Sequence, residues 1–428
     1  MDYSKDQKEA LKLLNKNKNV FLTGSAGCGK TFIATQFADT TRRQVALTAT
    51  TGIAALNLGG ETIHRFLGIG VSTRPFEIPK LINIWNKIKK STLPWDKARW
   101  RVMCALDAIV LDEVSMLRRD QFELIEAVLA NIKENSLPFG GVQMILCGDF
   151  LQLPPVVTDE DLKSYKDLQK SYCFESDLWQ QAGFNSFNLT TNYRQNTGKF
   201  LEGLEQIRSG NISDEINDMF ESRIEAKLDT DIEPVKLFPH KYKVENENME
   251  RLDKLPAEKI HSHAIFTGKE YDVEILKKDC PAESTLSFCE GAQIMMLTND
   301  MNKNWVNGTM GIIESVDPVI IRLSDDKKVE VTKFTWERTI YKTQGPDIMP
   351  SVVATMVQYP FKLAYATTIH KSQGLTLDYI DLDLANCFAH GQAYVALSRA
   401  KTLEGIRLRG WNRKSISADP KVLKFYGF

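Results

Sequence analysis

The stretch VFLTGSAGCGKT, residues 20–31, decides the fold of this 428-residue chain. A short apolar run leads into a glycine-rich turn, and a helical pattern begins at Lys30. Residues 24–31 match G-x-x-x-x-G-K-[ST], the phosphate-binding loop that follows a strand and opens a helix. Chance clustering of glycines is the alternative, but the order of strand, loop and helix argues against it.

This loop predicts a nucleotide site. Its backbone N–H groups would surround phosphate oxygens, and the helix N-terminus would add partial positive charge. Lys30 would reach the β- and γ-phosphates, and the Thr31 hydroxyl would bind Mg²⁺. The predicted nucleotide-binding residues are Gly24, Ser25, Ala26, Gly27, Cys28, Gly29, Lys30 and Thr31.

Two further apolar runs end in acidic or amide side chains. Asp112 ends the run AIVLD and would hold Mg²⁺ through its water shell, and Glu113 would orient and deprotonate the attacking water. Asp149 and Gln152 follow the next run, at the strand edge where such sheets bind ligands. Gln152 suits contact with the γ-phosphate and the attacking water. A capping turn before the two following prolines is an open alternative.

Composition limits the class of protein. A length of 428 residues predicts two or more domains. The chain has 54 basic and 55 acidic residues, so a polyanion would have to bind a local basic patch, because the protein as a whole carries almost no net charge. Seven cysteines without metal-type spacing favour a reducing, intracellular compartment. No apolar leader or membrane-length run is present, so we expect a soluble, cytoplasmic protein.

The order of apolar runs predicts an α/β fold class. Strands separated by helices over about the first 180 residues indicate a parallel sheet covered on both faces. From about residue 285 to 345, short strands joined by polar turns indicate a small β-barrel. A second α/β domain surrounds this insertion and resumes at residue 352.

The segment Lys80–Arg101 carries seven basic residues against one acidic residue, Asp96. One interpretation is a solvated surface excursion with its tryptophans tucked underneath. The other is a nucleic-acid contact, because aromatic rings among cations suit single strands. The tryptophans concerned are Trp85, Trp95 and Trp100.

Further motifs stand in a distinctive order along nearly the whole chain. They are TATTGIAALNLGGETIHRF (48–66), DEVSM (112–116), PFGGVQMILCGDFLQLPPV (138–156), NYRQ (192–195), VNGTMGII (306–313), TIHKSQGLTLD (368–378) and GQAYVALSRAKTLEGI (391–406). Together with the phosphate-binding loop, they resemble the PIF-type DNA helicases, RecD-like members of superfamily 1B.

The resemblance implies two RecA-like P-loop domains with parallel sheets, an inserted segment in the first, and an inserted SH3-like β-barrel in the second. The boundaries that we predict are 1–65 with 102–185 for domain 1A, 66–101 for segment 1B, 186–280 with 352–428 for domain 2A, and 281–351 for insertion 2B.

The resemblance also implies an activity. It is that of an ATP-dependent DNA helicase, with Mg²⁺ and ATP as cofactors, moving 5′→3′ on single-stranded DNA and unwinding tailed or forked duplexes. The implied settings are replication, repair, recombination and telomere maintenance, with G-quadruplex and RNA–DNA substrates left open. We expect a bacterial-type, nucleoid-associated monomer without a membrane partner; dimerisation on DNA is left open.

Several residues take roles from the resemblance alone. Gln7 and Tyr193 match residues that read and stack on adenine, and Arg194 and Arg399 match arginines that reach the γ-phosphate across the cleft. A surface ion pair is the alternative for each arginine. The predicted catalytic set is Lys30, Glu113, Gln152, Arg194 and Arg399, with Thr31 and Asp112 at the metal.

Two threonine-rich motifs resemble paired grips on a DNA strand, one from each domain. Threonine hydroxyls and backbone N–H groups bind phosphate oxygens without reading sequence. A structural role for the histidines is equally open. The predicted DNA-binding residues are Thr51, Gly52, His64, Thr368, His370 and Lys371.

Two other classes share some of these features. A P-loop switch or clamp on DNA would share the phosphate loop and the Asp112–Glu113 pair, but needs neither a second cationic loop nor arginines across a cleft. A small-molecule kinase has no use for a second α/β domain.

Overall fold

A computed structural model describes residues 3–428 except 71–72, 156–171, 196–197, 231, 239–240, 301, 345–346, 370–371, 386 and 388. The predicted DNA-binding residues His370 and Lys371 therefore lie outside the described residues. Within the described ranges, no helix combines the length and the apolar character that a membrane crossing requires.

The first half of the chain alternates strands and helices. Its strands are β1 (Val20–Gly24), β2 (Val45–Ala49), β3 (Glu61–Thr62), β4 (Ala108–Asp112), β5 (Gln143–Cys147) and β6 (Asn185–Leu189). Its helices are α1 (Lys5–Leu14), α2 (Lys30–Thr40), α3 (Gly52–Leu58), α4 (Ile63–Leu67), α5 (Ile78–Lys90), α6 (Pro94–Ala105), α7 (Arg119–Lys133) and α8 (Asp177–Gln181).

The second half is richer in strands. These are β7 (Val235–Phe238), β8 (Ile260–His263), β9 (Ile265–Gly268), β10 (Thr285–Phe288), β11 (Gln293–Met296), β12 (Met310–Val316), β13 (Val319–Leu323), β14 (Lys328–Glu330), β15 (Phe334–Gln344), β16 (Asp347–Gln358), β17 (Phe361–Leu363), β18 (Ala366–Thr368), β19 (Ile380–Leu384) and β20 (Ile406–Trp411). Its helices are α9 (Lys199–Ser209), α10 (Asp214–Glu221), α11 (Lys241–Asp253), α12 (Glu270–Asp279), α13 (Gln392–Leu397) and α14 (Pro420–Tyr426).

The first sheet has the order β3-β2-β4-β5-β1-β6, and its neighbouring strands pair in parallel. Strands β1, β4 and β5 are buried along their whole length, because helices cover both faces of the sheet. Their carboxyl ends meet at one edge, which brings together the phosphate-binding loop, Asp112 and the turn that carries Asp149 and Gln152.

The second parallel sheet has the order β18-β7-β19-β20. Between β7 and β18 the chain forms antiparallel sheets: β14-β13-β12-β11-β17, β15-β16-β9 and the pair β10-β8. The predicted fold class is confirmed. We call the parts around the first and second parallel sheets the first and second domains.

The predicted domain boundaries stay predictions, but strand pairing bears on one of them. We placed the return to the second α/β domain at residue 352. Strand β16 instead pairs antiparallel with β15 along its whole length, from Asp347 opposite Gln344 to Gln358 opposite Phe334. The parallel sheet resumes only at β18. Residues 352–358 are apolar enough to resemble a buried parallel strand, but alternate residues face solvent.

The tryptophans of the Lys80–Arg101 segment have different environments. Trp85 is buried and donates its indole N–H to the Leu67 carbonyl (3.0 Å), with Arg99 over its ring. Trp100 is half-buried under Lys89. Trp95 is 66% exposed. Trp85 and Trp100 therefore fit the interpretation of tryptophans tucked under a surface segment. Of the three tryptophans, only Trp95 exposes its ring enough to contact a ligand.

Helix α14 follows the second sheet in sequence but packs on the first domain. Val422 lies in the core that contains Phe21 and Phe150, and the Phe425 ring stacks on Phe174 at 4.3 Å. The Tyr426 hydroxyl lies 2.8 Å from the hydroxyl of Thr23. We assigned residues 352–428 to the second domain from the sequence, whereas the aromatic side chains of this helix are covered by the first domain.

We expect Phe425→Ala to lower the free energy of unfolding by about 2–3 kcal/mol, since it removes a ring that contacts five aromatic neighbours. Urea denaturation followed by circular dichroism measures the loss. Phe428→Ala is the matched control, because that ring is 70% exposed. Equal midpoints for the two variants would contradict the packing of α14 on the first domain.

Candidate nucleotide-binding cleft and nucleic-acid groove

The phosphate-binding loop has the backbone that its glycines permit. Gly27 and Gly29 have φ of 86° and 80°, in the left-handed region that glycine adopts without strain. A Cβ at Gly27 would come within 2.6 Å of the Arg194 Cβ. Lys30 Nζ donates to the carbonyl oxygens of Gly24 (2.7 Å) and Ser25 (3.0 Å). The ammonium group therefore lies over the concave side of the loop.

The two predicted metal-binding residues lie against each other. The Thr31 hydroxyl donates to Asp112 Oδ2 at 2.7 Å, which joins the start of α2 to the end of β4. Burial raises the pKa of Asp112. Both groups offer oxygen, the ligand type that Mg²⁺ prefers, and a single ion could bridge them.

Glu113 follows Asp112 in a strained conformation. Its φ of 55° is in the left-handed region, where a non-glycine residue is uncommon. Burial, and then the charge of Asp112, raise the pKa of Glu113 to about 7. A carboxylate whose pKa lies near neutrality, beside the phosphate loop, fits the predicted role of general base.

Gln373 connects this carboxylate to the second domain. Its Nε2 donates to Glu113 Oε2 (2.9 Å) and to Gln152 Oε1 (3.2 Å). Gln152 thus lies at the cleft as predicted, while Gln373 was not among the predicted residues. The sequence analysis singled out Thr368, His370 and Lys371 in the motif that contains Gln373. Gln373 itself is one of several polar residues in that loop, and nothing in the sequence distinguished it from the others.

Both predicted arginines lie in the cleft, where Arg194 is partly exposed and Arg399 is buried. Arg194 donates to the Thr376 hydroxyl (3.0 Å) and to the Ser398 and Gly374 carbonyls (both 3.3 Å), so it is anchored to the second domain. Arg399 is 1% exposed. Burial, and then the neighbouring Arg194, lower the pKa of Arg399 to about 9. The alternative of surface ion pairs is excluded for both.

The residues next to Arg194, in the segment that connects the two domains, form hydrogen bonds to both of them. Asn192 donates through Nδ2 to the Ala26 carbonyl (3.0 Å) and accepts the backbone N–H groups of Arg194 (2.8 Å) and Gln195 (2.9 Å). Gln195 Nε2 donates to the carbonyls of Ser398 and Ala400. The NYRQ motif therefore touches the phosphate loop at one end and the second domain at the other.

The predicted adenine-binding residues meet at Gly29. A Cβ on Gly29 would lie 3.2 Å from Gln7 Nε2 and 3.8 Å from the Tyr193 ring. Tyr193 also donates its backbone N–H to the Gly27 carbonyl at 2.9 Å, while its ring is 56% exposed. Asp6, which the sequence reasoning missed, accepts the backbone N–H groups of Thr190 and Thr191 and fixes α1 beside this pocket.

A groove of about 820 Å³ with a mixed polar and apolar lining lies between α3 of the first domain and the second half of the chain, including α11 and α12. The predicted Thr368 lines it, and so does Gln373, so this groove reaches the nucleotide cleft. Other residues that line it are Ile53, Asn57, Asn248, Lys277, Lys278 and Lys362.

None of the predicted first-domain residues Thr51, Gly52 and His64 is among those that line this groove, although the neighbouring Ile53 is. Thr51 caps α3 and accepts the Ala54 N–H (3.3 Å), and the adjacent Gly52 faces the Asp279 carboxylate, with which a Cβ would collide. Burial lowers the pKa of His64, and its Nε2 has no partner among the described residues.

Asp149 has a different role from the one that its position suggested. Its carboxylate accepts Arg208 Nε (2.9 Å) and Nη2 (3.0 Å), and both side chains are buried. Arg208 lies in α9, which packs in the core of the second domain. Asp149 thus joins the two domains through an ion pair. The sequence could not predict this pair, because Asp149 and Arg208 are 59 positions apart and no local pattern connects them.

These features define a class: a P-loop nucleoside triphosphatase whose site lies between two α/β domains, with two arginines on the far side and a groove connected to it. The profile described as PIF1-like helicase matches residues 2–229. The chain belongs to the PIF1-like helicase family.

Two relatives show how far the similarity extends. The ATP-dependent DNA helicase Pif1 of Bdellovibrio bacteriovorus is 35% identical over 429 residues, covering 100% of this chain and 92% of that protein. The human ATP-dependent DNA helicase PIF1 is 32% identical over 432 residues. That alignment covers 99% of this chain but only 63% of the human protein.

Solved structures confirm the architecture. Bacteroides Pif1 in complex with ADP-AlF4 superposes with a TM-score of 0.88 at 28% identity, covering 100% of this chain and 97% of that one. Bacteroides Pif1 bound to ssDNA, with the same identity and coverage, gives 0.66. The arrangement of this chain is therefore closer to that of the ADP-AlF4 complex.

We expect Gln373→Ala to lower turnover at saturating DNA about tenfold, equivalent to about 1.4 kcal/mol of transition-state stabilisation. Turnover without DNA should fall less, because Gln373 is the side chain that touches both Glu113 and the groove. Asn57→Ala is the control, since Asn57 lines the groove without a described contact to Glu113. Equal losses with and without DNA would show that Gln373 serves the nucleotide site alone.

Proposed function

We propose that this chain is an ATP-dependent DNA helicase that hydrolyses Mg-ATP between its two domains and uses the motion of the cleft to move along single-stranded DNA. The observation that carries the proposal is Gln373. One side chain donates to the predicted base Glu113 at 2.9 Å and also lines the groove. A nucleotide site and a strand site that share a residue can exchange conformational information.

In this proposal the phosphate loop, Lys30 and the start of α2 bind the phosphates, and Gln7 with Tyr193 hold the adenine. Thr31 and Asp112 hold Mg²⁺, which would neutralise charge that develops on the phosphates. Glu113 takes the proton from the attacking water, and Gln152 orients that water. The catalytic arginines, which bind the γ-phosphate from the second-domain side, are Arg194 and Arg399.

The proposed DNA path is the groove lined by Thr368 and the α12 lysines. Lysines bind phosphates without reading sequence, which suits a protein that moves along any strand. In this structure the Arg65–Asp279 ion pair and the bond from the Leu47 N–H to the Tyr341 hydroxyl (2.6 Å) connect the two walls. The lower TM-score with the ssDNA complex supports a rearrangement of the chain when a strand binds.

The finer proposals follow from family membership. They are 5′→3′ movement, action on tailed and forked duplexes, a monomeric working state, and G-quadruplex DNA as a further substrate. Roles in replication, repair, recombination or telomere maintenance belong to the same group. Each of these finer proposals can be tested separately, and the failure of one would leave the helicase activity itself in place.

The test of the main proposal compares duplexes with a 5′ tail, a 3′ tail or blunt ends, in Mg-ATP. We expect strand separation on the 5′-tailed substrate only, and none with Lys30→Ala, which loses the ammonium group that lies over the phosphate loop. DNA-stimulated hydrolysis without separation of any substrate would favour a switch or clamp on DNA. Separation from the 3′ tail would overturn the polarity alone.

Trp95 is the proposed contact at the point of strand separation, because it is the exposed tryptophan of a basic segment. We expect Trp95→Ala to slow unwinding several-fold while DNA-stimulated hydrolysis stays within about twofold of the parent, since one stacking contact is worth about 1–3 kcal/mol. Trp85→Ala should instead lower stability by about 3–5 kcal/mol, because that ring is buried. Normal unwinding by Trp95→Ala would show that the segment is only surface.

A further inference from the structure

One residue of the phosphate-binding loop, Ala26, is held through both its backbone N–H and its backbone carbonyl by side chains from outside the first domain. The Ala26 N–H donates to the Tyr394 hydroxyl at 2.8 Å, across 368 positions in sequence. The Ala26 carbonyl accepts Asn192 Nδ2 at 3.0 Å. The orientation of the two peptide units on either side of Ala26 therefore depends on partners that come from the second domain and from the connection to it.

Tyr394 is rigidly placed to make this contact. It lies in α13, is 1% exposed, and packs in the core of the second domain. At the start of the same helix, a Cβ on Gly391 would come within 2.5 Å of the Gln152 carbonyl oxygen. The helix therefore rests directly on the first domain, close to the predicted water-orienting residue.

The chemistry of the hydroxyl suits a structural hydrogen bond beside a polyphosphate. Burial, and then the charge of Asp149, raise the pKa of Tyr394, so the phenol is neutral at physiological pH. A neutral oxygen accepts the Ala26 N–H without placing a negative charge next to the bound phosphates. Arg399 follows Tyr394 by five residues, so movement of α13 shifts the loop contact and the γ-phosphate arginine together.

We propose that Tyr394 is a positioning residue that holds the phosphate-binding loop from the second domain, so that closing the cleft sets the loop for nucleotide binding. Tyr394 acts through the loop backbone and does not touch the nucleotide. The link between this contact and movement along DNA rests on the proposed function. The effect of the contact on nucleotide binding does not, because it applies to any nucleotide that the loop binds.

Two bonds with the same chemistry allow a matched comparison. Tyr365 also accepts a backbone N–H through its hydroxyl, from Gln293 at 3.1 Å, and is also buried. That bond lies in the second half of the chain, within the core built by the antiparallel sheet. Replacement of either tyrosine by phenylalanine keeps the ring and removes one hydroxyl, so the two variants differ in whether the phosphate loop loses a partner.

The experiment measures the affinity for a fluorescent ADP and the KM for ATP in Tyr394→Phe, Tyr365→Phe and the parent. We expect Tyr394→Phe to raise the Kd for ADP and the KM for ATP by a similar factor, roughly fivefold, the effect of one lost hydrogen bond to a buried N–H. The kcat at saturating ATP should stay within about twofold. Tyr365→Phe should leave the Kd and the KM near the parent values.

The outcomes separate this inference from its rivals. A raised KM for ATP with unchanged ADP affinity would mean that Tyr394 acts through Arg399, and would overturn the role at the loop. Equal changes in Tyr365→Phe, with a lowered Tm in both, would mean that the hydroxyl serves the fold. Because ADP binding requires neither hydrolysis nor DNA, a parent without DNA-stimulated turnover would refute the proposed function and leave this test standing.

Discussion

Two carboxylates and two guanidinium groups meet in one cleft, and the charges of opposite sign lower the cost of withdrawing each other from water. Burial raises the pKa of Asp112 and Glu113 and lowers that of Arg194 and Arg399. A buried charge needs a partner of opposite sign, and the charge of Glu113 acts on both arginines. The site of the first domain is therefore electrostatically complete only when the second domain lies against it.

The same dependence explains how the groove and the cleft communicate. Thr368, at the end of β18, lines the groove, and the loop that follows supplies Gln373 to both sites. Arg194 is anchored to the same loop through Gly374 and Thr376. A displacement of this loop by a bound strand would move the partner of the base and the support of an arginine together, so coupling requires no long chain of intermediates.

The sequence predicted the parts of the site that adjoin strand ends and missed the parts that depend on long-range contact. Asp112 and the phosphate loop could be placed because parallel strands bring their carboxyl ends to one edge. Tyr394 was not singled out within the motif at residues 391–406, and Asp149 was placed at the strand edge that binds ligands. Their partners, Ala26 and Arg208, lie 368 and 59 positions away. Local patterns carry no information about such pairs.

The path of the chain adds a mechanical constraint. The chain leaves the first domain after β6 and enters the second through the NYRQ motif, which is hydrogen-bonded at both ends. It returns after β20, and α14 packs back onto the first core beside Phe21 and Phe150. Near this return the Asp149–Arg208 ion pair joins the domains again, with Arg208 over the Tyr426 ring. The domains are also joined on the groove side, by the Arg65–Asp279 ion pair and the bond from the Leu47 N–H to the Tyr341 hydroxyl. Any opening of the cleft must therefore break contacts at one of these two sides while those at the other hold.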